Sequence, residues 1–144
     1  MKEKNDSIQI ILSHDSLSLD YQYEFLKKED CGAICFFVGT IRNNNFDKKV
    51  NKVYMEAYSP MVTNQLEKII ISAMEKWDLH RVSVGHRYGD LIIGDIAVIV
   101  GVVCKHRKNV FKACQFVIDE LKKNVPIWKN EFYIDGSNWQ VPHP

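Results

Sequence analysis

Residues 96–104 read IAVIVGVVC and decide the fold of this chain. The part from Ile96 to Val103 is the longest apolar run in the sequence, and its branched side chains favour a β-strand. A helix that crosses a bilayer needs roughly 20 apolar residues, so this run is much too short for one. We therefore predict a strand of a globular domain at residues 96–104.

The elements on either side of this strand follow from turn signals and hydrophobic periodicity. Before it, Arg81–Arg87 predicts another strand, joined to it by a turn that contains Gly-Asp twice within residues 89–95. After it, a helix is predicted from about Lys108 to Lys123, and Pro126 is expected to end it. Five apolar side chains form the buried face of this helix: Val110, Cys114, Val117, Ile118 and Leu121.

The rest of the chain divides into further strands and helices. Strands are predicted at Ile8–Leu12, Gly32–Thr40, Val50–Tyr58 and Trp128–Ile134, and helices begin after a Ser18 cap and at Ser59-Pro60. The run Gly32–Thr40 is apolar almost throughout, which is typical of a strand covered on both faces. A polar loop is expected at Arg42–Lys49. No repeat or linker interrupts the chain, so residues 1–144 are predicted to be a single α+β domain.

Composition restricts the class of protein. Of the 144 residues, 46% are hydrophobic and 26% are charged, as in soluble globular domains. Met1–Ser7 is polar and no signal-peptide core follows it, so we expect a cytoplasmic location. Cys31 and Cys35 lack the two-residue spacing of redox and zinc motifs, and the five histidines are scattered, at positions 14, 80, 86, 106 and 143. No metal or cofactor is therefore expected.

The charge is balanced over the whole chain but not locally. A net charge of +1 provides no field for nucleic acid or a membrane surface. Between Lys105 and Lys129 there are seven basic and two acidic residues, so this segment carries +5 and the remainder −4. The excess predicts a local anion site, although a solvated helix face would give a similar count.

Three groups of cations are candidates for such a site. His106 and Arg107 fall where a strand passes into a helix, and helix starts and guanidinium groups bind phosphate. Lys122 and Lys129 flank Pro126, so the chain can turn back and bring both amines to one cleft, where clustering and burial would lower a lysine pKa. Arg42 follows a strand directly. The alternatives are a junction without a ligand and solvated surface lysines.

The distance between these groups has a consequence for assembly. His106 and Lys122 are sixteen residues apart, which is about 24 Å if both lie on one straight helix. One pocket in one chain cannot hold both. If both serve one substrate, His106 and Arg107 of one subunit meet Lys122 and Lys129 of another, which predicts a two-fold dimer with shared sites.

Five strings, taken in order, resemble a known family. They are GAICFFVGTIRNNN, MEAYSPMV, HRYGDLIIGD, VGVVCKHRKNVFKACQFVIDELKKNVPIWK and DGSNWQ, and they extend from about residue 30 to residue 139. In order and spacing they resemble the large, catalytic subunits of molybdopterin synthases, the MoaE family. The combination is specific, whereas any one string is not.

The resemblance implies a fold, a reaction and a set of partners. The fold is an α/β hammerhead-type fold with an additional antiparallel β-sheet. The reaction is a sulfur transfer in molybdenum cofactor biosynthesis, in which cyclic pyranopterin monophosphate receives two sulfurs and becomes molybdopterin, with no metal or cofactor. The sulfur comes from the thiocarboxylated Gly-Gly tail of a small ubiquitin-like subunit, one of which docks at each end of a homodimer to form a heterotetramer.

The family's functional residues fall on the candidates already chosen. Lys122 and Lys129 match the catalytic lysines, with Lys122 as the main acid-base group. The substrate-binding set matches Thr40, Ile41, Arg42, His106, Arg107, Lys122, Lys129, Asn130 and Glu131, although Asn130 replaces a residue that is often basic in relatives. Two rival functions are a non-catalytic adaptor for a Gly-Gly tail and an anion-binding module for another phosphorylated metabolite.

Overall fold

The computed structural model describes residues 2–45 and 47–141. Met1, Phe46 and residues 142–144, among them His143, lie outside the described part. Within it the chain forms three helices and ten strands in two sheets, which confirms the predicted α+β class. No helix in the described part is long and apolar enough to cross a membrane.

The first sheet is mixed and has the predicted apolar strand inside it. Its members are β1 (Lys2–Lys4), β2 (Ile8–Ser13), β3 (Ala33–Thr40), β6 (Arg81–Arg87) and β8 (Ile96–Cys104). Their order is β1-β2-β6-β8-β3, with β2 and β6 parallel and the other pairs antiparallel. All residues of β8 after Ile96 are buried, as the apolar run requires.

Three helices cover this sheet. They are α1 (Leu19–Leu26), α2 (Ser59–Lys76) and α3 (Val110–Asn124); α1 packs on β6 and β8, and α3 packs on β3, β8 and α2. Ser18 caps α1 as predicted, since its hydroxyl accepts from the Tyr21 N–H at 3.1 Å. The capping role predicted for Ser59 is wrong, because this residue lies inside the first turn of α2 and Tyr58 holds the cap position.

The second sheet is antiparallel throughout. It contains β4 (Asn44–Asn45), β5 (Lys48–Ala57), β7 (Gly89–Ile92), β9 (Ile127–Tyr133) and β10 (Asn138–Val141). The order is β10-β9-β5-β4, and β7 also pairs with β5. The additional antiparallel sheet is thus confirmed. Two local predictions are wrong: the expected loop Arg42–Lys49 includes β4 and the start of β5, and the expected turn at 89–95 includes β7.

Strand β3 differs from the prediction in a way that matters for the site. Its apolar run predicts burial on both faces, but β3 is the edge strand of the first sheet and is only half-buried from Ala33 to Phe37. Val38 is 37% exposed. Apolar side chains favour burial, but β8 and α3 bury those of β3 only in part. One edge of this long apolar strand therefore has no partner strand among the described residues.

Candidate functional site

The candidate active site is a cleft at the end of β3. It has a volume of about 360 Å³ and lies where β3, β5, α3 and β9 converge. Ten residues line it: Phe37, Val38, Gly39, Thr40, Ile41, Arg42, Val53, Lys122, Lys129 and Glu131. The structure thus brings together Arg42, both lysines, Thr40, Ile41 and Glu131 of the residues named from the sequence.

The turn between α3 and β9 positions the two lysines. Helix α3 ends at Asn124, Pro126 follows, and β9 begins at Ile127, so the chain reverses within a few residues. Lys122 in the last turn and Lys129 in the strand therefore face the same cleft, although they are seven residues apart. This reversal agrees with the role predicted for Pro126.

The amine of Lys122 lies in the cleft and has a lowered pKa. Burial, and then the nearby charges of Lys129 and Arg42, lower the pKa of Lys122 below its ordinary value, while Asp119 acts in the opposite direction. Its Nζ lies 5.8 Å from the centre of the Phe37 ring. No ion pair within 4.0 Å holds Lys122 in the part of the chain that the structure describes. The amine is therefore suited to exchange a proton with a bound ligand.

Lys129 is held differently, through a buried carboxylate. Its Nζ lies 3.2 Å from Oε2 of Glu131, whose residue is only 2% exposed. The other oxygen, Oε1, accepts from Asn45 Nδ2 at 2.6 Å and from the Tyr133 hydroxyl at 3.0 Å. Burial raises the pKa of Glu131, but the Asn45 hydrogen bond and the Lys129 charge outweigh it, so the pKa lies below its ordinary value. Glu131 thus fixes the position of Lys129 and of the β4 hairpin.

Glu131→Gln tests this network. The amide would direct its NH₂ group towards the Lys129 ammonium group and lose the ion pair, so the free energy of unfolding at pH 7 is expected to fall by about 1–3 kcal/mol. Because the folded-state pKa of Glu131 is depressed, its contribution is full above the unfolded pKa of about 4.3 and is lost as the pH falls through the folded value. The deficit measured by denaturant unfolding should therefore shrink in acid.

An exposed ion pair provides the matched control. Glu24 lies 2.8 Å from Lys27, with both side chains more than half exposed. Glu24→Gln is expected to leave the free energy of unfolding nearly unchanged, because solvent screens an exposed pair. An equal loss in both variants would show that Glu131 has no special part in the cleft.

His106 and Arg107 lie in a second cationic pocket. It is lined by Gly32, Ala33 and residues 105–108, and it lies at the opposite end of β3 from the cleft. Seven residue steps separate Ala33 from Thr40, which is about 23 Å along a strand. The predicted helical geometry is wrong in one respect, since α3 begins only at Val110 and His106 lies in the turn before it. The two cationic groups nevertheless occupy separate pockets of one chain.

Asn130 is not brought to the cleft. Successive side chains of a strand point to opposite faces, so Asn130 lies on the other face of β9 from Lys129 and Glu131. Its Oδ1 is buried and has no hydrogen-bond partner among the described residues. Two members of the Glu131 network, Asn45 and Tyr133, are absent from the candidates chosen from the sequence. Asn45 is 86 positions from its partner, and no local pattern indicates such a contact.

The fold and the cleft together define a class of protein. A cationic site with one amine of lowered pKa, carried by a mixed sheet and an added antiparallel sheet, suits an α+β protein that binds an anionic ligand and exchanges protons with it.

The family model described as MoaE protein matches residues 12–124. The molybdopterin synthase catalytic subunit of Arabidopsis thaliana is 36% identical over 138 residues, which is 96% of this chain and 70% of the relative. The X-ray structure of molybdopterin synthase from Staphylococcus aureus superposes with a TM-score of 0.88 at 31% identity, covering 98% of this chain and 100% of that one. A chain from the complex of subunits 1 and 2 of molybdopterin-converting factor from Helicobacter pylori shares the fold, with a TM-score of 0.72 at 23% identity and coverage of 94% and 88%.

This chain belongs to the MoaE family, the catalytic subunits of molybdopterin synthase. Membership gives it an enzymatic role in molybdenum cofactor biosynthesis. The resemblance seen in the sequence is thereby confirmed. The roles of individual residues remain predictions.

Proposed function

We propose that this chain transfers sulfur to cyclic pyranopterin monophosphate and forms molybdopterin, with Lys122 as the catalytic acid-base group. The observation that carries the proposal is the contrast between the two cleft lysines. Lys122 has a lowered pKa and no ion pair within the described residues, whereas Lys129 is tied to buried Glu131. One amine is suited to proton transfer and the other to fixed electrostatic stabilisation.

The chemistry assigns a task to each group in the cleft. Sulfur of a thiocarboxylate forms a bond to a pterin side-chain carbon, and the oxygen displaced from that carbon takes up a proton from Lys122. Water then cleaves the bond between the carrier's acyl carbon and sulfur, so the carrier leaves as a carboxylate. Two such transfers build the dithiolene without a net change of oxidation state. Arg42 binds the cyclic phosphate and Lys129 orients the thiocarboxylate.

The edge strand supports the dimer that the separate pockets require. If the free edge of β3 pairs antiparallel with the same edge of a second copy, the Ala33 end of one strand lies beside the Thr40 end of the other. The pocket of His106 and Arg107 then adjoins the partner subunit's cleft. This pairing also covers the half-exposed apolar residues of β3. Each complete site would thus use residues from both copies.

The sulfur donor is proposed to be a small ubiquitin-like protein with a thiocarboxylated Gly-Gly C-terminus. The relatives are named as catalytic subunits, which implies a further subunit. A Gly-Gly tail is narrow because it has no side chains, so it can enter a cleft of this size. Cys104 and Cys114 are poor internal donors, because burial raises the pKa of both thiols, the latter to about 12, which disfavours the reactive thiolate.

Reconstitution tests the proposal. The chain is incubated with cyclic pyranopterin monophosphate and a thiocarboxylated small subunit, and molybdopterin is assayed. Product is expected only when all three components are present and the tail carries the thiocarboxylate rather than a carboxylate. Tight binding of the small subunit without turnover would identify an adaptor instead. Binding of phosphorylated metabolites without any effect of the small subunit would identify an anion module.

A further inference from the structure

A group of metal-ligand atoms lies apart from the cleft. Asp30, Cys31 and His80 each bring one ligand atom to a common point, and these atoms all lie within 4.8 Å of one another. Asp30 is exposed, while Cys31 and His80 are half-buried. Nothing in the proposed sulfur transfer uses these residues. Carboxylate, thiolate and imidazole are the donor types that bind Zn²⁺.

The backbone holds this group in place from two sides. The turn that carries Asp30 and Cys31 is closed by the Cys31 N–H, which donates to the Lys28 carbonyl at 3.1 Å. The backbone N–H of His80 donates to Val103 of β8 at 2.9 Å. The Gly32 N–H, next to Cys31, donates to the Lys105 carbonyl at 3.1 Å, so both loops are tied to the end of β8. The donors therefore meet without any rearrangement of secondary structure.

His80 provides an independent indication. Its Nε2 is buried, yet it has no hydrogen-bond partner among the described residues. A buried ring nitrogen without a partner is costly, and such atoms call for an explanation. The neighbouring thiol and carboxylate favour one explanation. In it, one nitrogen of the His80 imidazole coordinates a metal ion and the other remains a hydrogen-bond donor.

We propose that Asp30, Cys31 and His80 bind one Zn²⁺ ion, with solvent at the fourth position of a tetrahedral site. A carboxylate and a thiolate would balance the two charges of the ion, and neutral His80 completes the set. Asp30 faces solvent, which leaves room for water. The ion would tie the loop after α1 to the loop before β6, beside the His106 pocket, whose Gly32 N–H donates to the Lys105 carbonyl at 3.1 Å.

The sequence led to the opposite expectation, that no metal is bound. That expectation depends on the scattered positions of the histidines. His80 is 49 positions from Cys31 in the sequence. Only the packing of both loops against β8 brings the three donors together. The proposal does not rest on the proposed sulfur transfer, because it concerns different residues and is tested without substrate or partner.

The electrostatic surroundings predict how binding depends on pH. Burial, and then the charge of Asp30, raise the pKa of the Cys31 thiol, whereas Lys28 and Lys105 act in the opposite direction. After burial, the charges of Cys31 and Asp78 raise the pKa of the Cys104 thiol, so Cys104 is a further acidic group near Cys31. Metal binding must displace the thiol proton, so affinity is expected to increase with pH.

A titration with Co²⁺ alone, followed by displacement with Zn²⁺, tests the site. The full chain is used without a histidine tag and with its thiols reduced. One Co²⁺ per chain is expected, with a thiolate-to-cobalt charge-transfer band that Zn²⁺ abolishes. Cys31→Ser should remove the band. His80→Gln and Asp30→Asn should each weaken binding by more than the roughly 10–100-fold that loss of a second-shell partner costs.

Cys35→Ser is the matched control, since Cys35 is also a half-buried free thiol but lies outside the group. It should bind Co²⁺ as the unmodified chain does. The proposal is overturned if the folded unmodified chain takes up no Co²⁺, or if Cys31→Ser keeps the charge-transfer band. Asp30→Asn changes an exposed side chain and keeps the fold, so normal affinity in that variant would also overturn it. Circular dichroism verifies the fold of each variant.

Discussion

Lys122→Ala is expected to lower the rate of molybdopterin formation by about 10²–10⁴-fold, the range that general acid-base groups contribute. Lys122 is a half-buried amine with a lowered pKa in the cleft, and alanine cannot exchange the proton. The fold should be unaffected, because this lysine makes no ion pair within the described residues. Single-turnover assays measure the rate, and gel filtration verifies that the dimer persists.

Lys123→Ala is the control for this prediction. Lys123 is adjacent in sequence and exposed, so its loss should leave the rate near that of the unmodified chain. Near-normal turnover in Lys122→Ala would remove Lys122 from the central role.

The pH profile gives a second measurement on the same amine. After burial, the charge of Lys129 is the main cause that lowers the pKa of Lys122. Lys129→Gln should therefore shift the limb of the pH–rate profile that reports the ionisation of Lys122 to higher pH.

Mixing two inactive variants is expected to restore about a quarter of the activity of the unmodified chain. One variant lacks His106 and Arg107 and the other lacks Lys122. Random association makes half of the dimers mixed, and a mixed two-fold dimer has one intact site of its two. The chains are mixed by co-refolding, and product is assayed with thiocarboxylated small subunit and substrate in excess.

A second mixture controls for unspecific recovery. Arg42 and Lys122 lie in the same cleft of one chain, so Arg42→Ala and Lys122→Ala damage the same half of every site. Their mixture should stay inactive. If the first mixture also stays inactive although mixed dimers form, the sites are not shared between subunits.

Much of the fold could be predicted from local signals. Residues 96–104 predict β8, the Ser18 hydroxyl predicts the start of α1, and the periodicity from Val110 to Leu121 predicts α3. These signals are local because a strand, a cap and an amphipathic face each depend on residues within a few positions. The positions of Ser59 and of the 89–95 segment were predicted incorrectly, since capping and short strand pairing depend on neighbours that the pattern does not contain.

The sequence by itself determined the α+β class, the family and the identity of the cationic residues, because spacing and residue type carry that information. Only the tertiary structure decided that β3 is an edge strand, that Arg42 shares a cleft with Lys122 and Lys129, and that His106 lies at the far end. It alone joined Asn45 to Glu131 and placed His80 beside Cys31. Such contacts depend on which sheets pack together, and burial of the apolar surface of the whole chain determines that packing.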